Sequence, residues 1–245
     1  FGGALCMVNA TSPPAVPESK GPHNELKVIR EVIESASDGY LPPEKVNMLL
    51  KAAGIETVPE SVVTTAAAAV RAAGAMGYPV VMKVVGPVHK SDIGGVGINI
   101  HSEGRVRDEF ARMMTLPEGT GILVQKMISG REIFCGATRE DRYGHLVMAG
   151  MGGIFIEVFK DVSTALVPVS DQEARSMIRS LRSYKIIRGI RGTAGVNEEA
   201  FVRVITSLSD LLAVAPEIAE MDINPLLGTP DNVVAVDARI RVQAK

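Results

Sequence analysis

The stretch Pro79–Asn99, PVVMKVVGPVHKSDIGGVGIN, constrains this chain more than any other. Val80, Val81 and Met82 form a short apolar run expected to be a buried strand, and Lys83 stands where that strand should open into a pocket. His89, Lys90, Ser91 and Asp92 follow, then the Gly94-Gly95 pair and Val96, with a returning strand expected over 97–100. Glycine accepts backbone angles and crowding that a Cβ forbids, so such a loop can close on an anion. These features jointly favour a polyphosphate. The plain alternative is a solvated lysine beside an ordinary hairpin.

The flanking pattern alternates strand with helix. Thr64 or Thr65 is placed to cap a helix over Ala66–Met76, Gly77 to end it, and its small residues suit close packing on a sheet. Upstream, Asn24 precedes an amphipathic run from Glu25 to about Ser37, Pro42-Pro43 opens a second helix stopping near Gly54, and Val58 and Val62-Val63 read as short strands. A further helix is expected over Arg105–Met114. The Pro-bearing segment 12–21 has the composition of a linker, which sets the expected organisation: segment 1–24, a first lobe over 25–122 and a second over 123–245.

In the second half, Gly121–Lys126 is expected to be a strand running into a connection at Met127–Gly130. Backbone groups there suit the edge of a flat base, with apolar side chains over its faces. Glu132 is a candidate ribose or metal contact, or else an exposed residue paired with Arg131 or Arg139. Ile133–Thr138 and Leu146–Met151 have strand density around the polar turn EDRYG. Gly152-Gly153 either cradle phosphate or allow a tight turn into a strand carrying Glu157, a candidate to orient His89 or else an edge carboxylate. His89 itself is either a base or phosphoryl acceptor, or an uncommitted loop histidine. A helix is expected from Asp171 through Tyr184 and another over Glu198–Val214 behind Asn197; between them Arg188 and Arg191 flank a glycine turn, as a phosphate clamp or a solvated corner.

The last constellation is EMDINP at 220–225 with Asp237 in VVAVDARI. Asp222 and Asn224 share one strand face and Asp237 falls on the neighbouring strand, so oxygen ligands can meet around Mg²⁺, with a polar sheet rim as the alternative.

Composition narrows the classes. The chain has 245 residues, 46% of them hydrophobic, enough for a large core or two lobes. A net charge of −2, with no basic tract and no Trp, argues against a primary role on nucleic acid. No apolar run reaches membrane-spanning length, no complete signal peptide opens the chain, and Cys6 and Cys135 are too far apart for a paired metal motif, so a reducing cytoplasm is expected. The start at Phe1 suggests a fragment of a longer chain.

The segments GYPVVMKV at 77–84, HKSDIGGV at 89–96, GREIFCG at 130–136, GMGGIFIEVFKDVS at 150–163, GIRG at 189–192 and DINPL with VAVDARI near the end occur in an order that resembles the ATP-grasp subunit of the ADP-forming acyl-CoA (acetate-CoA) synthetases. The resemblance covers about residues 25–243 and implies an α/β two-lobed fold with a nucleotide cleft between the lobes. It implies that Lys83 contacts ATP phosphates, that Ser91, Asp92, Gly94, Gly95 and Val96 cover them, that Gln125, Lys126 and Met127 face adenine with Glu132 nearby, and that Asn224 and Asp237 bind Mg²⁺ with Asp222 in support. His89, with Glu157 and Arg191, would serve transfer of a phosphoryl group through phosphohistidine to ADP. CoA would be bound by a partner domain or subunit, with acyl-CoA, carboxylic acid and phosphate as the other reactants and a homo- or hetero-oligomer as the working assembly. A regulatory ATP-grasp domain of a protein lysine acetyltransferase and a noncatalytic nucleotide-binding scaffold are the competing readings.

Overall fold

A computed structural model describes residues 23–86, 93–153, 160–190 and 192–243. The first elements are α1 (His23–Glu34), β1 (Gly39–Tyr40), α2 (Pro43–Ala52), β2 (Glu60–Val63), α3 (Ala66–Met76), β3 (Val80–Val85), β4 (Val96–Ile100), α4 (Glu103–Met113) and β5 (Gly121–Lys126). They are followed by β6 (Arg131–Glu140), β7 (Gly144–Met151), β8 (Val162–Leu166), α5 (Asp171–Ser180), α6 (Tyr184–Ile187), α7 (Glu198–Val214), β9 (Ile218–Gly228), β10 (Val233–Ala235) and β11 (Ala238–Val242). The strands form two sheets. One has four strands in the order β2-β5-β3-β4; the other has seven, in the order β1-β11-β9-β6-β7-β8 with β10 beside β9.

In the smaller sheet, period-2 alternation sends Val80, Met82 and Val84 of β3 and Ile122 and Val124 of β5 to one face, where they are buried under α3 and α4. Ala69 and Ala73, wholly buried one turn apart, let α3 lie close on that face. Its start is fixed by the Thr65 hydroxyl accepting from the Ala68 N–H at 3.2 Å, and its end by Gly77 at φ 74°. The residues between, Lys83 and Gln125 among them, are left to the opposite face, which looks onto the larger sheet.

The larger sheet repeats the arrangement. Ile133, Cys135 and Ala137 of β6, Val147 and Ala149 of β7, and Met221 and Ile223 of β9 form one core with Phe201, Ile205, Leu208 and Leu212 of α7. Asp222 and Asn224 therefore stand on the other face.

Three expectations are corrected. Residues 25–122 were expected to form one lobe, yet Ile29, Val32, Ile33, Leu41, Leu49 and Leu50 belong to the larger sheet's core, and β1 pairs with β11. The Arg30 guanidinium also grips both oxygens of Glu217 at 3.0 Å. The physical reason is that α3 and α4 already cover the apolar face of the smaller sheet, so the apolar stripes of α1 and α2 have only the larger core to join. The helix expected through Tyr184 stops at Ser180, where Leu181 turns extended at ψ 138°. Finally, β8 adds a strand at Val162–Leu166 that alternation in the sequence did not announce.

The break after α5 has a stated anchor. Buried Asp161 accepts from the N–H of Arg182 at 2.9 Å and of Ser183 at 2.8 Å, satisfying backbone donors at the start of α6. Burial by itself would raise the carboxyl, but the hydrogen bonds from Ser183 and Arg182 outweigh it and hold it below its ordinary value. Asp161→Asn should cost about 1.5–3 kcal/mol in urea unfolding at neutral pH. A depressed native pKa contributes stability above the unfolded value of about 3.9 and loses it as pH falls through the native value, so the gap between wild type and variant should stay constant from pH 7 to 5 and shrink towards pH 3. A gap that widens on acidification would contradict this anchor.

Candidate functional site

Lys83 is the centre of the site because the alternation of β3 leaves it nowhere else to point. It pairs with Leu123 on one side and Val96 on the other, and its side chain is 9% exposed. A buried ammonium is costly unless matched. Here Nζ donates to the Val236 carbonyl at 3.2 Å and lies 3.8 Å from Asp237 Oδ2, both carried by the larger sheet. Lys83 thus reaches across the cleft.

Val236 and Asp237 form the link between β10 and β11, and β9 pins them. The Val236 N–H donates to the Pro225 carbonyl at 3.1 Å, and the Asn224 N–H donates to the Asp237 carbonyl at 3.0 Å. Asn224 and Asp237 therefore stand side by side on the face that looks onto the smaller sheet. One Asp237 oxygen, Oδ1, accepts from the Ala238 N–H at 3.1 Å, while Oδ2 is the one turned to Lys83. Asp222 lies two residues before Asn224 and directly opposite Arg239. Burial raises its carboxyl above the ordinary range, Arg239 works against that, and Asp237 and Glu220 add to it. Its Oδ1 is buried with no hydrogen-bond partner among the described residues. An amide oxygen and a carboxylate oxygen side by side, with polyphosphate and water to complete the shell, fit what a magnesium ion takes. Among the described residues no group of three His, Cys, Asp or Glu side chains forms a site that holds a metal by protein ligands alone.

Gln125, Lys126 and Met127, expected to face adenine, are held by contacts on both sides of the connection. Gln125 is 1% exposed; its Nε2 donates to Glu60 Oε2 at 2.9 Å and to the Val236 carbonyl at 2.8 Å, so its side chain braces the lobes and does not lie along the connection. The Lys126 and Met127 N–H groups donate to the Pro59 and Pro79 carbonyls, and the Lys126 ammonium donates to the Gly77 carbonyl at 2.8 Å. Glu132 is exposed at the start of β6, beside Gly152 and Gly153. A Cβ on Gly153 would come within 2.6 Å of Glu132 Oε2, so glycine is what lets the carboxylate lie over that turn. Gly95 holds β3 through its carbonyl, which accepts from the Val84 N–H at 2.8 Å, and Gly94 is held by the Arg112 guanidinium at 2.8 Å. Val96, next in line, is the β4 partner of Lys83.

His89, Ser91, Asp92, Glu157 and Arg191 lie outside the described residues. Glu60 and Asn47 carry no motif, yet the Asn47 amide donates to Glu60 Oε1 at 2.8 Å and joins them to Gln125. The antiparallel pairing of β2 with β5 sets Glu60 opposite Gln125, a long-range register that no local sequence signal announces. A cavity of about 370 Å³ adjoins this group, bounded by Leu41, Val46, Val85, Leu123, Asp237 and Arg239.

Comparison with known proteins agrees with this geometry. The profile of the ATP-grasp domain matches residues 32–242. The beta subunit of acetate–CoA ligase [ADP-forming] I from Pyrococcus furiosus is 40% identical over 224 residues, covering 86% of this chain and 96% of that subunit. The ADP-forming acetate–CoA ligases I and II from Archaeoglobus fulgidus are 38% and 39% identical, and the chain spans 29% of their length. Among solved structures, acetyl-coenzyme A synthetase 1 of Ca. Korarchaeum cryptofilum, in complex with coenzyme A, Ca-AMPCP and HgCl⁺, superposes with a TM-score of 0.81 at 35% identity, covering 89% of this chain and 99% of that one. The same synthetase with coenzyme A and Mg-AMPPCP, its phosphohistidine segment pointing towards the nucleotide binding site, gives 0.75 at 34% identity over 89% of this chain and all of that one. Two facing sheets, a strand lysine reaching across to a paired asparagine and aspartate, and this degree of likeness place the chain in the ATP-grasp family, as a homologue of the beta subunits of ADP-forming acetate–CoA ligases.

Proposed function

We propose that the chain is the nucleotide-binding half of an ADP-forming acyl-CoA synthetase and that ADP and ATP bind between its two sheets, with Lys83 on the phosphates and Asn224 and Asp237 holding Mg²⁺. The observation that carries this is the Lys83 ammonium, buried and set 3.8 Å from the Asp237 carboxylate across the cleft. An ion pair so enclosed adds little net stability, which is a reason to look for its use in binding. A polyphosphate entering there would exchange one anionic partner of Lys83 for another. When bound, Mg²⁺ would neutralise charge on the phosphates.

The overall reaction is acyl-CoA + ADP + phosphate ⇌ carboxylic acid + CoA + ATP. Phosphate displaces CoA from the acyl group, a histidine takes the phosphoryl group from the acyl phosphate and releases the carboxylic acid, and phosphohistidine then delivers it to ADP. In that last step a β-phosphate oxygen of ADP attacks phosphorus, the P–N bond breaks, and its electron pair returns to the imidazole. This chain's part is to hold the nucleotide, to stabilise the charge on the moving phosphoryl group through Lys83, and to present His89 as a second phosphoryl carrier. The CoA-binding step belongs to a partner domain or subunit, as the beta-subunit relatives support. Among the described residues no helix is long and apolar enough to cross a membrane, and Cys135 is a free, buried thiol.

Lys83→Met should weaken ADP binding about 10- to 100-fold in calorimetry, the worth of one charge-assisted contact. Asp237→Asn should instead raise the Mg²⁺ concentration needed for tight ADP binding; unchanged affinity in both variants would remove the site from this cleft. For the chemistry, the chain should form ATP when mixed with its CoA-binding counterpart, acetyl-CoA, ADP, phosphate and Mg²⁺, and His89→Ala should fall to background. Undiminished ATP formation by that variant would end the case for His89 as an obligatory carrier, and inactivity of the native pair would favour a regulatory site.

A further inference from the structure

Lys83 and Asp237 come from different sheets, so their separation depends on whatever fixes one sheet against the other. Backbone hydrogen bonds of Glu56 and Val58 with Ala235 tie the segment before β2 to the larger sheet, and beside them runs a short chain of side-chain hydrogen bonds. Asn47 of α2, which belongs to the larger core, donates to Glu60 Oε1 at 2.8 Å; Glu60 Oε2 accepts from Gln125 Nε2 at 2.9 Å; and the same Nε2 donates to the Val236 carbonyl at 2.8 Å. That carbonyl is also the acceptor of Lys83 Nζ, and Asp237 is the next residue.

We propose that Glu60 and Gln125 are positioning residues that hold Lys83 and Asp237 in register across the cleft; the inference rests on the reading of those two residues as phosphate and Mg²⁺ contacts. The amide can sit only one way round. Its nitrogen has two hydrogens and meets two acceptors, whereas a reversed amide would push its oxygen against a carboxylate and a carbonyl. The arrangement has a cost that packing alone does not explain: Gln125 Oε1 is buried without a hydrogen-bond partner among the described residues, a penalty that an apolar side chain of the same size would avoid. What the amide supplies and an apolar residue cannot is a hydrogen bond that ties the smaller sheet to the Val236 carbonyl, which β9 already fixes. Without that tie, the sheet that carries Lys83 can shift relative to Asp237. Glu60 in turn is tied from both sides, by Asn47 of the larger core and by Gln125 of the smaller sheet, so the brace crosses the cleft twice.

The test is calorimetric titration of the chain with ADP, with Mg²⁺ and with EDTA, alongside thermal unfolding. Gln125→Met keeps the volume and removes both hydrogen bonds; a loss of about 10- to 100-fold in affinity is expected with Mg²⁺ and a markedly smaller one in EDTA. Glu60→Gln keeps one of the two acceptor oxygens and should show a smaller loss of the same Mg²⁺-selective kind. Equal losses with and without Mg²⁺, or affinity within about threefold of wild type for Gln125→Met, would overturn the positioning role. Should Gln125→Met fail to unfold cooperatively, Glu60→Ala, at a half-buried position, must give the same Mg²⁺-selective loss. Wild type that binds no ADP under either condition would instead overturn the nucleotide-site reading, a result distinct from wild-type binding with variants unchanged.

Discussion

The Val236 carbonyl is where the two sheets of this protein meet. It accepts from Lys83 at 3.2 Å and from Gln125 at 2.8 Å, two donors from one sheet on an acceptor held by the other. Each sheet has its own core on its far face, while Leu123 and Val85 of the smaller sheet and Leu41, Val46 and Ala235 of the larger core line the space between them. The polar contacts at Val236 add a directional tie to that apolar lining. A site made this way stays open to a charged ligand while keeping its binding groups in fixed relation.

The ordering of residues along β3 and β9 shows how one chemical requirement passes down to the sequence. A lysine must face the cleft from a strand whose neighbours are buried, so Met82 and Val84 surround Lys83 in the strand and go to the core. Asn224 must face it from β9, so Ile223 is wholly buried and Asp222 shares the polar face. Glycine enters where the backbone must turn or crowd: Gly86, at φ 122°, ends β3 with its α-carbon against the Glu118 carbonyl, where an added Cβ would collide. The charge balance of the site is also set by burial. Burial raises the Asp222 carboxyl against the pull of Arg239 opposite, while Asp237 Oδ2 lies 3.8 Å from the Lys83 ammonium.

Much of this was legible because it is local. Thr65, Ser102, Ser170 and Asn197 each accept a backbone hydrogen bond three residues on, and the helices over 66–76 and 198–214 follow as their caps and apolar spacing imply. Asp237, expected on the strand beside Asn224, lies instead in the link between β10 and β11 and is held next to Asn224 by the Asn224 N–H donating to its carbonyl. What was not legible depends on distant partners. An amphipathic α1 announces that it will be buried but not against which sheet, and its assignment to the first lobe failed for that reason. Nothing local to Gln125 announces that its amide is taken up by Glu60, 65 residues earlier, and by Val236, 111 residues later. Asp161 reads as the end of a motif, and only the fold shows it stopping one helix and starting another.

The central claim is that a magnesium nucleotide occupies the cleft between Lys83 and the Asn224–Asp237 pair. Its most direct test is a crystal structure of the chain with Mg²⁺ and a non-hydrolysable ATP analogue. The expected result has phosphate oxygens within hydrogen-bond distance of Lys83 Nζ and the metal ligated by the side-chain oxygens of Asn224 and Asp237. Analogue bound elsewhere, with Lys83 still closed onto Val236 and Asp237, would contradict it.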